Sequence, residues 1–223
     1  MTHTMPLFPD PAAHAPAYHP DEEFLLDYAA GTTSQAETLL LATHLAYCNT
    51  CRGAVQAARN VGGMLLNTLE PAHLPPNMLN RTLTAIDAAG TRVDMVADTV
   101  APPLAAFLAE NMASKQWKSL PNGFRMRRIP GEGSGRAWLF DAPPGMKLLP
   151  HRHKGDEWTV ILSGVFLDGG HAYRPGDFAR LEDGEEHRPK IGAKSRCVSL
   201  IMVRDAPVYT TPFGKLAAPF IKL

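Results

Sequence analysis

Cysteine, net charge and long apolar runs are all scarce in this 223-residue chain. The three cysteines, Cys48, Cys51 and Cys197, are too few, and odd in number, for a disulfide framework, so metal or redox roles come forward. No apolar run approaches the ~18 residues of a membrane span. The N-terminus lacks a basic patch ahead of an apolar core, so no secretory signal is read there, no membrane partner is expected, and a cytoplasmic location follows. Net charge is absent too, because 22 basic residues cancel 22 acidic ones. The cancellation hides a division. Residues 1–90 hold three basic and eight acidic residues, a net −5, which leaves +5 for residues 91–223. Opposite charge on the two parts suggests two domains, and the apolar share of 45% is ample for packed cores.

Five prolines among residues 1–20 predict an extended, mobile arm over residues 1–18. Helical patterning begins after Asp21. Phe24, Leu25 and Tyr28 fall on one face, Gly31 reads as a C-terminal cap, and Ser34 to Glu37 reads as a capping box opening a second helix. A third helix is expected from about Arg52 to Leu69, and a short fourth carries Met78, Leu79, Leu83 and Ile86. Residues 89–103 read as a linker, with one more short helix over 104–111. Beyond it, short apolar runs punctuated by glycine and proline predict a β-sandwich or barrel. The expected fold class is thus α+β multidomain: a small helical bundle over 19–88, then a β-barrel over 104–223.

Cys48-Asn49-Thr50-Cys51 is a C-x2-C pair, and His44 lies four residues before Cys48, on the same helical face. Tetrahedral zinc wants a fourth ligand. His19, where arm meets first helix, is the best placed, and His14 is a weaker choice. The competing readings are a redox C-x-x-C, which lacks the βαβ context such sites use, and two buried cysteines without metal. A zinc ion on His19, His44, Cys48 and Cys51 would supply folding free energy to a bundle with a small core. Net acidity argues against DNA contact, which rewards basic surfaces, and favours a basic protein partner.

The second constellation is Gly145 to Gly164, which matches G-x5-H-x-H-x3-E-x6-G through His151, His153 and Glu157. His151 and His153 share a strand face. Gly176, Gly184 and His187 keep the places of a second motif, with Glu182 where proline is usual and Ile191 where asparagine is usual. His151, His153, Glu157 and His187 would surround one divalent ion, zinc, iron, manganese or nickel by ligand type. The alternatives are loop histidines, or a site that no longer binds metal. This pattern resembles the cupin signature, which implies a cupin jelly roll for the barrel.

The two motifs together, from about His19 to Val203, resemble the ChrR-type cupin anti-sigma factors. The resemblance implies that the helical module binds an extracytoplasmic-function sigma factor in a 1:1 complex, and that the cupin receives an oxidative signal, singlet oxygen or an organic peroxide, which releases the sigma factor. Leu79, Leu83 and Ile86 offer a partner-binding face, unless that face packs on its own domain. The same metal ligands also serve cupin dioxygenases and isomerases, so a metal-dependent enzyme and a small-molecule-binding cupin remain the competing readings. A regulator rather than an enzyme is expected, with no direct nucleic-acid contact. Cupin dimerisation stays open.

Overall fold

The structure, a computed structural model, describes residues 15–89, 117–120, 122–131 and 135–217. The expected arm up to residue 14, the linker beyond Ala89 and the helix over 104–111 lie outside the described residues. Four helices come first: α1 (Glu22–Ala30), α2 (Gln35–Tyr47), α3 (Asn49–Leu66) and α4 (Met78–Ala89). Twelve short strands follow: β1 (Lys118–Ser119), β2 (Arg125–Arg128), β3 (Arg136–Ala142), β4 (His151–Arg152), β5 (Glu157–Ser163), β6 (Phe166–Asp168), β7 (His171–Tyr173), β8 (Phe178–Leu181), β9 (Glu186–His187), β10 (Lys190–Ile191), β11 (Cys197–Val203) and β12 (Val208–Tyr209), with α5 (Pro212–Ala217) closing the described chain.

Local chemistry sets the helix boundaries. Gly31, at φ 74°, ends α1 in the left-handed cap that glycine adopts without strain. Ser34 and Glu37 form the expected capping box, with the Ser34 N–H donating to Glu37 Oε2 at 2.8 Å and the Glu37 N–H donating to Ser34 Oγ at 3.3 Å. Cys48 separates α2 from α3 in an extended conformation, and its sulfur accepts the Cys51 N–H, taking the place of an N-cap oxygen. The third helix therefore starts earlier than its apolar pattern suggested, because a metal-ligand type of residue does the capping.

Every strand pairing is antiparallel. A six-stranded sheet runs β1-β2-β3-β11-β5-β8, and two three-stranded sheets run β10-β6-β7 and β12-β4-β9. The small sheets face the inner side of the large one across a cavity. Alternation along β11 sends Cys197, Ser199, Ile201 and Val203 inward to that cavity, while Leu200 and Met202 point to the opposite face. On β5, Glu157 and Ile161 turn inward and Trp158, Val160 and Leu162 turn outward.

The outward residues are not bare. They share one buried cluster with Leu25 of α1, with Leu40, Leu41 and Leu45 of α2, and with Cys51 and Val55 of α3. Phe24 lies against Trp158, with ring centroids 5.4 Å apart. The helices and the large sheet thus have a common core, although the sequence reads as two modules. The unbroken apolar runs Val160-Ile161-Leu162 and Leu200-Ile201-Met202-Val203 are the trace of a sheet covered on both faces.

Because this core is common, truncation on either side should weaken both. Leu41→Ala and Leu200→Ala each remove a side chain with 0% exposure and should cost about 2–5 kcal/mol. Urea unfolding followed by tryptophan fluorescence and by far-UV circular dichroism should show one transition shifted equally by either variant. Sheet unfolding that is indifferent to Leu41→Ala would contradict the common core.

Candidate metal centres and the wall between them

The structure draws both predicted quartets together. His19, His44, Cys48 and Cys51 offer four ligand atoms that all lie within 4.8 Å of one another, and so do His151, His153, Glu157 and His187. In the first group His44 Nε2 lies 3.3 Å from Cys51 Sγ, and His19 Nδ1 lies 3.4 Å from each sulfur. A tetrahedron with arms of ~2.0–2.3 Å has edges of about 3.5 Å, so these separations fit a single ion. One proton is shared between the thiols: the hydrogen bond from Cys51 pulls Cys48 well below the usual thiol range, to about 3, and the same bond pushes Cys51 up. The pair thus favours one thiolate, at Cys48, and the Cys51 proton would have to leave on metal binding.

Elements from the sheet half hold this first group. The carbonyl of Gly176 accepts the His44 Nδ1–H at 2.7 Å, which leaves the Nε2 lone pair facing the sulfurs. Gly176 has φ 90°, and a Cβ placed on it would fall 2.6 Å from Tyr47 Cβ and 3.0 Å from Pro16 Cγ. Only glycine lets α2 approach this turn. The next residue, Asp177, is 1% exposed. Its carboxylate accepts the N–H groups of Ala17 at 2.7 Å and Tyr18 at 3.2 Å through Oδ1, and of Arg174 at 2.7 Å through Oδ2. The Phe178 N–H donates to the Tyr18 carbonyl at 3.0 Å. Residues 15–18, read from sequence as the end of a mobile arm, are instead strapped to β8, and the strap delivers His19. Sequence reasoning missed Asp177, since no metal-ligand spacing includes it.

The second group sits between the large sheet and the β12-β4-β9 sheet. His151 pairs with His187 across β4 and β9, and Glu157 opens β5 opposite them. His151 Nδ1–H donates to the Leu149 carbonyl and His187 Nδ1–H to Asp168 Oδ2, both at 2.7 Å. With both Nδ1 atoms used as donors, the two Nε2 lone pairs face each other at 3.0 Å, an arrangement that a cation between them relieves. His153 Nε2 lies 2.8 Å from Glu157 Oε2, yet neither ring nitrogen of this buried histidine makes a directed hydrogen bond among the described residues. The donor set fits a divalent ion, and the identity of that ion is open to any borderline or hard first-row metal.

Titration behaviour follows the same logic. Burial, reinforced by His187, lowers His151 to about 4, so its imidazole is neutral and able to coordinate at neutral pH. Burial opposes the Glu157 charge, but the imidazoles of His153, His187 and His151 outweigh it and hold the carboxyl low. His187 is raised despite its burial by the hydrogen bond to Asp168 and the charge of Glu157. Asp168 is thus an orienting partner of a ligand histidine. It sits at the end of β6 beside Gly169 and Gly170, where the sequence reads only as a turn.

A cavity of about 300 Å³ opens against this second group, lined also by Phe124, Met126, Phe140, Phe166, Ile191 and Ile201. Cys197 is buried in its wall, and burial raises its thiol to about 12, so it stays protonated. Trp138 and Trp158 pack on opposite faces of the sheet, the first in the cluster on the barrel side and the second in the cluster shared with the helices.

A third feature is a surface. α3 buries only Cys51 and Val55, and its second half exposes Val61, Met64, Leu65 and Leu66. The chain then presents Leu69 and Leu74, and α4 presents Leu79 (68% exposed), Leu83 (49%) and Ile86 (58%). Self-packing of the Leu79, Leu83 and Ile86 face does not occur here: residues 78–88 are all exposed.

Comparisons agree with this division. The sequence profile of the ChrR cupin-like domain matches residues 107–208. The anti-sigma-E factor ChrR of Cereibacter sphaeroides is 32% identical over 210 residues, which covers 92% of this chain and 98% of that protein. The crystal structure of Rhodobacter sphaeroides SigE in complex with the anti-sigma ChrR matches with a TM-score of 0.70 and 30% identity, over 83% of this chain and 98% of that one. No helix among the described residues is long and apolar enough to cross a membrane.

Separate centres predict separable losses. Elemental analysis of the full chain should find two metal equivalents, with one lost in Cys48→Ser and the other in His153→Ala. Asp177→Ala, which frees the strap, should weaken the Cys48–Cys51 centre about tenfold in a competition titration with a chromophoric chelator and leave the barrel centre unchanged. Equal affinities in wild type and Asp177→Ala would show that the strap does not position His19.

Proposed function

The chain belongs to the family of the anti-sigma factor ChrR, and from that premise we propose that it sequesters an extracytoplasmic-function sigma factor in a 1:1 complex in the cytoplasm and releases it when the cupin half receives an oxidative signal. The observation that carries the reading is the apolar stripe along the second half of α3 and the whole of α4. Exposed apolar patches of this extent are uncommon on free monomers and mark interaction surfaces. Leu79, Leu83 and Ile86 recur at i, i+4 and i+7, the spacing by which an amphipathic helix enters a groove. The acidic character of residues 1–90 favours a basic partner surface.

Each metal group then has its own task. His19, His44, Cys48 and Cys51, a two-nitrogen, two-sulfur set, suit zinc in a closed structural site, where the ion would supply part of the free energy that fixes α1 to α3. His151, His153, Glu157 and His187 suit a divalent ion with positions left open toward the cavity. When bound, that ion would supply a Lewis-acid centre. The chain's own residues orient the set: Leu149 and Asp168 fix the tautomers of His151 and His187, and the apolar lining keeps bulk water away. Family resemblance supplies the oxidative nature of the signal, singlet oxygen or an organic peroxide.

The cavity against three histidines and a glutamate favours a second reading, a dioxygenase-like enzyme. Iron loading followed by oxygen-uptake measurement separates the two. Turnover abolished by His153→Ala would support the enzyme, and its absence with intact sigma capture would support the regulator.

Co-expression with the partner sigma factor should give a 1:1 complex by size-exclusion chromatography with light scattering. The double variant Leu79→Asp/Leu83→Asp should weaken capture at least a hundredfold. Because both side chains are exposed, its melting temperature should stay within a degree or two of wild type. Undiminished capture would remove the stripe from the interface.

A further inference from the structure

We propose that the barrel cavity is a binding site for a small amphipathic monocarboxylate, an alkyl or aryl acid whose head meets the metal group and whose body fills the apolar lining. The inference rests on the reading that His151, His153, Glu157 and His187 hold a divalent ion. It names a ligand class that neither the fold nor the comparisons specify.

Three features of the cavity select this class. The first is its charge. Among the described residues, Glu157 is the only carboxylate in the lining, and Lys147 is the only cation besides the metal group. Asp168, 2.7 Å behind His187 Nδ1, is a second carboxylate close to the group, so Glu157 and Asp168 together balance a dication and the net positive charge at the cavity is that of exposed Lys147 at the rim. A cationic ligand would be repelled, whereas one anionic oxygen is rewarded. The second is the body of the cavity. Met126 and Ile201 from the large sheet, Phe166 and Ile191 from the facing one, and Phe124 and Phe140 beside them are all apolar. The other polar groups deep in the lining are the Ser199 and Tyr209 hydroxyls and the Cys197 thiol, and burial keeps the last two protonated. A second carboxylate buried among these residues would lack a charged partner, which is costly. The third is size. The cavity's 300 Å³ is about ten times the ~30 Å³ that one water occupies in the liquid, which suits an acid of roughly six to eight carbons.

Half-buried Met146, Leu148 and Leu149 lie at the cavity edge beside Lys147. Entry therefore passes an apolar rim with one positive charge. With Asn122 as the other exposed polar side chain in the lining, that combination favours an acid with an apolar body over a polyol or a sugar.

Isothermal titration of the metal-loaded full chain with hexanoate, 1-hexanol, hexylamine and adipate tests the proposal, with metal content measured on the same sample. Hexanoate should bind at least tenfold more tightly than hexanol, and hexylamine and adipate should not bind detectably. Leu148→Trp, which narrows the rim, should weaken hexanoate tenfold or more at unchanged metal content. Met126→Ala, which deepens the cavity, should shift the preferred acid from hexanoate toward octanoate. His153→Ala should erase the preference for hexanoate over hexanol. Should either Met126→Ala or Leu148→Trp fail to fold, the wild-type ranking of the four probes decides alone. Hexanol binding as tightly as hexanoate, or hexanoate failing to bind metal-loaded protein, overturns the proposal while sigma capture stands. A barrel that takes up no metal fails the underlying reading instead.

Discussion

Docking of α2 against the outer face of β11 and β5 takes water off both sides of one sheet, and much of the molecule follows from that contact. Leu40, Leu41, Val160 and Leu200 are 0% exposed, so the junction is packed as tightly as a domain interior. The helical segment on its own has few apolar side chains to bury: α1 contributes Leu25, α3 only Cys51 and Val55. A bundle so poor in core needs an outside supplement. It has two here, the sheet beneath it and four ligand side chains that can close around an ion.

The supplements stop at the middle of α3. Beyond Val55, nothing in α3 or α4 is buried among the described residues, and α4 has twelve residues. Isolated helices of about 12–15 residues are marginal in water, because nucleation is costly and tertiary packing normally repays it. The apolar residues that would do the packing are present, at Leu79, Leu83 and Ile86, but they face solvent. On the proposed function such a helix would gain its missing burial from the partner that covers it, so the free energy of capture would be coupled to the free energy of ordering α4. On that reading the exposed half of the bundle and the packed half divide the work: the residues around Cys48 would fix a platform, and the partner would supply the rest.

The grouping of His44, Cys48 and Cys51 and of His151, His153 and Glu157 was legible from spacing, because coordination demands particular residue types at particular intervals; His19 came from its place at the start of the first helix, in preference to His14, and His187 from its place in the second motif. The capping box at Ser34 and the cap at Gly31 were legible for the same reason, being local chemistry. The docking of the halves was not. It depends on which face of a strand meets which face of a helix some hundred residues away, and no local pattern records that pairing. The one sign was the loss of alternation in Val160-Ile161-Leu162 and Leu200 to Val203, which says that both faces are covered without saying by what. Asp177 and Asp168 escaped for a related reason. Their partners are backbone amides and an imidazole brought in by tertiary structure, so an aspartate in a turn looks like any other turn residue. Gly176 was read as a motif glycine of the barrel. Its closeness to Tyr47 gives it a second reason to lack a side chain.

The geometry also bears on how the barrel could speak to the stripe. A short path runs through the wall itself. Glu157 faces the barrel quartet and its covalent neighbour Trp158 faces Phe24 of α1. Nineteen residues along, Gly176 receives His44 and Asp177 holds the strap that ends in His19. Any rearrangement that shifts the Glu157 carboxylate moves the backbone that seats Trp158, and a packed interface of this kind transmits a shift rather than absorbing it. The effect on the helices is limited to the difference in affinity that the barrel's ligand has for the two arrangements. Linkage makes this reciprocal: a partner that holds the helices in one arrangement must change the barrel's affinity for its own ligand by the same factor. On the proposed function, a barrel that shares this wall with the helices is read from either side, and its threshold is set in part by the protein that the helices hold.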